Sequence, residues 1–156
     1  MSWVPPLSPH TLIQENLWPN EWKILVACVL LNLTTRKQVE TVIHQLFVRW
    51  PSAHAMAHAN ELELSEILKP LGMYRRRAKS LKRMSQEYAL GEWKTAQDLY
   101  GCGKYADDCW HIFCKGDWKS VTPQDRALNL YHDWLKNGWD GSYKHSIKER
   151  QDPSCL

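Results

Sequence analysis

The chain has 156 residues, 44% of them hydrophobic and 24% charged, with a formal net charge of +3; that is room for one domain with a hydrophobic core and too apolar for a disordered tail. Its longest apolar run, residues 24–31, is about half of what a bilayer crossing requires, and residues 1–9 lack the basic and apolar regions of a secretory signal, so the chain reads as a soluble intracellular domain with no membrane partner. Its five cysteines, Cys28, Cys102, Cys109, Cys114 and Cys155, are odd in number and include no C-x-x-C pair; they read as reduced thiols, and with only Cys155 beyond Cys114 the spacing excludes the cysteine cage of an iron–sulfur cluster.

A period of 3.6 dominates the hydrophobic pattern. Asn20 is placed to cap a helix over 21–33 that is apolar nearly all round, the mark of a buried central helix. Val39, Val42, Ile43, Leu46, Phe47 and Trp50 then form one stripe of a second helix, which Pro51 stops. A short helix precedes Lys69-Pro70. After the turn at Leu71-Gly72, Ala78, Leu81, Met84 and Tyr88 make the inner face of a helix whose charges are left on the outer face. Further helical patterns run over 104–115 and from Pro123 onward. No segment alternates with period two for long enough to be a strand. The fold class is therefore all-α, a helical domain over 1–139 without internal repeats, followed by a polar, basic and loose tail over 140–156.

The charge is unevenly placed. Arg75, Arg76, Arg77, Lys79, Lys82 and Arg83 concentrate six positive charges within residues 75–83, and the rest of the chain sums to −3. Two readings of this run are open: a solvated helix face, or a local positive field for a polyanion. Gly101-Cys102-Gly103 stands between two helical patterns and describes a tight hairpin; it is either a plain turn or one whose uncovered amides meet phosphate oxygens ahead of a helix N-terminus. Thr122-Pro123-Gln124-Asp125 resembles a capping box with Pro123 at the first helical position. Asp125 then has a capping role, a chemical role, or both, since an anion is favoured at a helix start. His54 and His58 are spaced i, i+4, but without a carboxylate or cysteine in a ligand pattern they read as surface histidines.

With these residues in place, L-Y-G-C-G-K-Y-A at 99–106 and an aspartate opening the next helix resemble the helix-hairpin-helix DNA glycosylase superfamily, which includes endonuclease III and the adenine glycosylases. L-I-Q-E-N-L-W at 12–18, L-N-L-T-T-R-K at 31–37, L-K-P-L-G-M-Y at 68–74, G-K-Y at 103–105 and L-N-L-Y-H-D-W-L at 128–135 are similar, in order and spacing, to the glycosylase domain of the methyl-CpG-binding thymine DNA glycosylases. The resemblance covers residues 3–139. It implies a two-lobed helical fold without an iron–sulfur cluster and base excision repair in the nucleus. The implied reaction is hydrolysis of thymine or uracil opposite guanine in double-stranded DNA, by a monomer with no cofactor or metal. It also implies that a methyl-CpG-binding domain can accompany this one in a longer polypeptide.

By family position Asp125 is the catalytic carboxylate, which stabilises an oxocarbenium-like sugar and directs water. Gln14 and Tyr105 line the pocket for the flipped base, with Leu12 and Ile13 beside them; read without the resemblance, Gln14 is a polar helix residue and Tyr105 a core tyrosine. Where the strand-cutting branch of the superfamily has a nucleophilic lysine, this chain has Tyr105, which implies the monofunctional branch. Lys104, one helical position away, is expected to face the DNA backbone and not the pocket. Gly72, Gly101, Gly103, Arg36, Lys37, Arg75 and Arg76 complete the implied DNA contacts. Leu33 stands where relatives carry an arginine that enters the duplex, Met73 where a second wedge sits, and Ala127 where a lysine is usual. Two alternatives stay open: the same fold with a uracil or oxidised-pyrimidine preference, and a non-catalytic helix-hairpin-helix module that grips DNA backbone.

Overall fold

The computed structural model describes residues 3–139, and the tail expected over 140–156 lies outside the described residues. The described chain is helical and contains no strand. Its helices are α1 (Ile13–Leu17), α2 (Glu21–Leu30), α3 (Arg36–Arg49), α4 (Ala53–Ala57), α5 (Glu61–Leu68), α6 (Tyr74–Leu90), α7 (Lys104–Cys109) and α8 (Arg126–Asn137). Helix α2 is the central element: eight of its ten residues are buried, from Trp22 through Leu30 except Lys23. It packs on α1, α3, α6 and α7, while α4 and α5 pack on α6. The Asn20 side chain accepts from the Lys23 amide at 2.9 Å, as a cap should.

Helix α2 stops three residues short of the expected position 33. Thr34 Oγ1 donates back to the Leu30 carbonyl at 2.6 Å, and Leu33 takes a left-handed backbone, φ 59°, which no continuing helix contains. Helix α3 begins earlier than its first apolar residue because Thr35 and Gln38 form a reciprocal capping box, with bonds of 3.1 and 2.8 Å. Its buried stripe is Val39, Val42, Leu46 and Phe47, closed by buried Trp50 at the C-cap before Pro51.

Three further expectations are corrected. The outer face of α6 does not hold all the charges, because Arg77 is 6% exposed and is bonded to backbone carbonyls. The helix expected over 104–115 is α-helical only to Cys109; Trp110–Lys115 is a π-helical turn, whose wider winding buries the consecutive residues Ile112 and Phe113 together with Trp110. The capping box at Thr122 does not form: Asp125 itself is the N-cap, accepting from the Leu128 amide at 3.0 Å, and α8 begins at Arg126.

Cys28, Cys102, Cys109 and Cys114 are free thiols, and Cys155 lies outside the described residues. His54 and His58 are exposed and pack on each other, and His58 Nδ1 meets the His54 carbonyl at 2.9 Å. Among the described residues no cluster of three His, Cys, Asp or Glu side chains could hold a metal, and no helix is long and apolar enough to cross a membrane.

Candidate functional site

The site begins with a buried carboxylate that has a structural role. Glu15, 2% exposed, accepts from the Leu12 amide at 2.6 Å, from the Ser8 hydroxyl at 2.9 Å and from the Ser8 amide. Those bonds fold residues 8–12 into a fixed turn and seat α1 on α2, with Leu12 and Ile13 buried. Gln14 is thereby carried inward to 1% exposure, where its Nε2 donates to Tyr105 Oη at 2.8 Å and lies 3.7 Å from both Cys28 Sγ and Cys109 Sγ. Burial, and next the nearby Cys109 and Cys28 thiols, push the Tyr105 phenol far above the ordinary tyrosine range, against the opposing pull of the Gln14 bond. The phenol is accordingly neutral, a donor and acceptor but not an anion.

Tyr105 is placed by the hairpin before α7. Cys102 N–H bonds the Leu99 carbonyl at 3.1 Å, closing a turn in which Gly101 has φ 80°. A side chain there would meet only ordinary contacts with Val29 and Ser80, so backbone conformation is what calls for glycine at 101. Gly103 opens onto empty space.

One cavity of about 670 Å³ brings the expected site together. Leu12, Ile13, Gln14, Tyr105 and Asp125 line it, along with Gly101, Gly103, Leu33 and Arg36. Asp125 is exposed to it: one carboxylate oxygen holds the Leu128 amide, and the other has no hydrogen bond among the described residues. A helix-capping oxygen and one without a hydrogen bond among the described residues therefore coexist in one side chain. Lys104 also lines the cavity, contrary to the expectation that it faces away. Its ammonium is held by the Asp108 carboxylate one turn on and by the Thr122 carbonyl at 2.9 Å, so it ties α7 to the loop that delivers Asp125. Cys28 is a wall residue that the sequence pattern does not reveal, since on an all-apolar helix it is indistinguishable from core; His10, Asn32 and Thr34 are others.

Met73, Gly72, Lys37, Arg75 and Arg76 do not line the cavity. Arg75 and Arg76 are exposed and have no carboxylate partner among the described residues, whereas Arg36 pairs with Glu40 at 2.7 Å and Arg83 with Glu87 at 3.2 Å. Leu33 and Met73 share two unusual properties. Both are exposed apolar residues, at 82% and 47%, and both hold left-handed backbones, φ 59° and 46°. Such a conformation costs a non-glycine residue about 1–2 kcal/mol, and strain of this kind collects at functional positions.

The family description "HhH-GPD superfamily base excision DNA repair protein" matches residues 26–152. The chain is 42% identical over 135 residues to the Methyl-CpG-binding domain protein 4-like protein of Arabidopsis thaliana, a match covering 86% of this chain and 30% of that protein. It is also 42% identical over 66 residues to the Thymine/uracil-DNA glycosylase of Pyrobaculum aerophilum, covering 42% of this chain and 29% of that one. The chain thus spans less than a third of the length of either relative. A solved thermostable thymine-DNA glycosylase superposes with a TM-score of 0.63 at 18% identity, over 84% of this chain and 73% of its own, which shows a shared fold.

The strain at Leu33 has a measurable consequence. Leu33→Gly removes about 1–2 kcal/mol of backbone strain and adds about 0.4–1 kcal/mol of unfolded-state entropy, with almost no buried area given up. The variant is expected to melt at the same temperature or a few degrees higher, at about 2–4 °C per kcal/mol for a chain of this size. A loss of stability above about 1 kcal/mol in urea unfolding would show that Leu33 packs against the fold and is not held out from it.

Proposed function

The chain belongs to the HhH-GPD superfamily of base excision DNA repair proteins, and we propose that within it this domain is a monofunctional glycosylase that hydrolyses the N-glycosidic bond of thymine or uracil opposite guanine in duplex DNA. The observation that carries this reading is the shared cavity, which Asp125 lines together with the hydrogen-bonded Gln14–Tyr105 pair, one Asp125 oxygen having no hydrogen bond among the described residues. Its volume lies within the range of about 300–1,000 Å³ that suits a compact organic ligand.

The chemistry follows from charge. As the C1′–N1 bond breaks, its electron pair leaves with the pyrimidine and the sugar becomes cationic. The Asp125 carboxylate stabilises that cation and accepts one proton from the water whose oxygen bonds C1′; that same proton then passes through solvent to the departing pyrimidine anion, so the sugar ends hydroxylated, the base neutral and Asp125 again a carboxylate. Gln14 offers an amide to the pyrimidine edge, and the neutral Tyr105 fixes the amide's orientation and supplies a stacking face. A target base must leave the stack to reach this cavity. Leu33 and Met73, held outward, fill the gap by apolar insertion, while Arg75 and Arg76 contact phosphates. With Leu33 and Ala127 in place of cations, the extruded phosphates are less firmly held than an arginine would hold them. Lys104 is engaged by Asp108 and Thr122 and does not act as a nucleophile. Action as a monomer, nuclear residence and a methyl-CpG-binding segment elsewhere in the polypeptide belong to the same proposal.

A labelled duplex with a single G·T or G·U pair tests the reading. After incubation the pyrimidine strand should break only on heating in alkali, and borohydride during turnover should trap no adduct. No base release from either duplex would refute the glycosylase assignment, and a trapped adduct at Lys104 would refute hydrolysis by water. For the positive face, Arg75→Glu with Arg76→Glu should lower the salt slope of binding by about 0.9 for each phosphate that is no longer neutralised, equally for matched and mismatched duplex. An unchanged slope would make residues 75–83 a solvated face only.

A further inference from the structure

Arg77 stands apart from its neighbours in the basic helix. Flanked by exposed Arg75, Arg76 and Lys79, it is itself 6% exposed. Its Nε donates to the Gly72 carbonyl at 2.8 Å and its Nη1 to the Asn32 carbonyl at 2.9 Å, acceptors 5 and 45 residues away in sequence. Among the described residues it has no carboxylate partner, and its burial lowers its pKa from the usual arginine value. A guanidinium buried against carbonyls alone is costly to desolvate, so the packing of its stem does not account for it.

What the two acceptors have in common is their position. The Gly72 carbonyl belongs to the peptide plane immediately before Met73, and the Asn32 carbonyl to the plane immediately before Leu33. The torsion φ of a residue is its rotation relative to that preceding plane, so fixing the plane's carbonyl restrains φ. Met73 and Leu33 are two of the three non-glycine residues with positive φ among the described residues, the third being Thr11. They are also the two exposed apolar side chains at the ends of the loops concerned. Arginine suits this task because its planar fork aims two N–H groups in fixed directions.

We propose that Arg77 is a positioning residue: its single guanidinium locks the Leu33 and Met73 turns together, so that both strained side chains meet a duplex as one preorganised wedge. This rests on the reading that Leu33 and Met73 enter the helix at a mismatch. Arg77 contacts no phosphate in this scheme; it acts on the DNA only through the two side chains whose backbones it holds. Without it each turn relaxes on its own, and retention of an unstacked nucleotide falls while backbone gripping stays.

The test uses the full chain and a G·T duplex whose thymidine carries a 2′-fluoro group that resists excision. Affinities for this duplex and for its matched counterpart are measured across salt concentrations, with 2-aminopurine beside the mismatch reporting unstacking. Arg77→Met is expected to lower the mismatched-to-matched affinity ratio about tenfold and to reduce the 2-aminopurine signal, with matched binding and its salt slope unchanged. Arg77→Lys keeps a buried cation but loses the fork, should show the same direction of change, and carries the test if the methionine variant does not fold. In a Leu33→Gly, Met73→Gly background the Arg77 substitution should have no further effect on the ratio. An Arg77 effect of equal size in that background, an unchanged ratio in the single variant, or a reduced salt slope would each overturn the proposal. If the double glycine variant keeps the full mismatch preference with Arg77 intact, the wedge reading beneath the proposal fails as well, and that result is distinguishable because it does not involve Arg77.

Discussion

Helix α2 is apolar nearly all round and is buried at every residue but Glu21 and Lys23, and the site is a consequence of how that covering is done. Glu15 clamps the turn that lays α1 on it, which brings Gln14 to Cys28. The hairpin at Gly101 rests near Val29, which brings Tyr105 to Gln14 across 91 residues of sequence. Where α2 ends, its chain turns through Asn32 and Leu33 to the cavity edge, and α6 holds that turn through Arg77. The cavity is thus the place where three coverings of one helix meet and do not quite close.

The electrostatics of the site divide the polar groups by task. Glu15, Lys104 and Arg77 have their charges satisfied by backbone or by a partner, and they fix positions. In the Gln14–Tyr105 pair Gln14 is buried and both side chains are neutral, which in the proposed function suits hydrogen bonding to an uncharged pyrimidine edge. Asp125 is fixed by its bond to the Leu128 amide in a place where the helix N-terminus favours negative charge, and in the proposed reaction its second oxygen is the one that acts. Of the cavity-lining residues, Arg36 is paired with Glu40 and Lys104 with Asp108.

Periodicity alone locates α2, α3 and α6 and the stripe that closes at Trp50, because those helices bury one continuous apolar face and the spacing records it. It does not place Cys28 at a cavity wall or Arg77 in the interior. A thiol among apolar neighbours and one arginine among six cations have the same local pattern whether they face core, cavity or solvent; only the tertiary arrangement of Gly72 and Asn32 decides. The end of α2 is not legible either, because Leu31 and Leu33 still fit a helical apolar pattern, while the side chain of Thr34 and the left-handed Leu33 end the helix. Asp125 is recognisable from its motif, but that it and not Thr122 is the N-cap is not, and in the fold the Thr122 carbonyl is instead held by Lys104.

The central claim is that the charge of Asp125, and not its shape or its cap, carries the reaction. Asparagine caps a helix about as well as aspartate, so single-turnover base release by Asp125→Asn separates the two roles in one measurement. The account predicts unchanged melting, intact binding of mismatched duplex and a rate lower by at least about a hundredfold, the scale of removing one preorganised transition-state interaction. Base release at a near-normal rate by the folded variant would contradict it and reduce Asp125 to a helix cap.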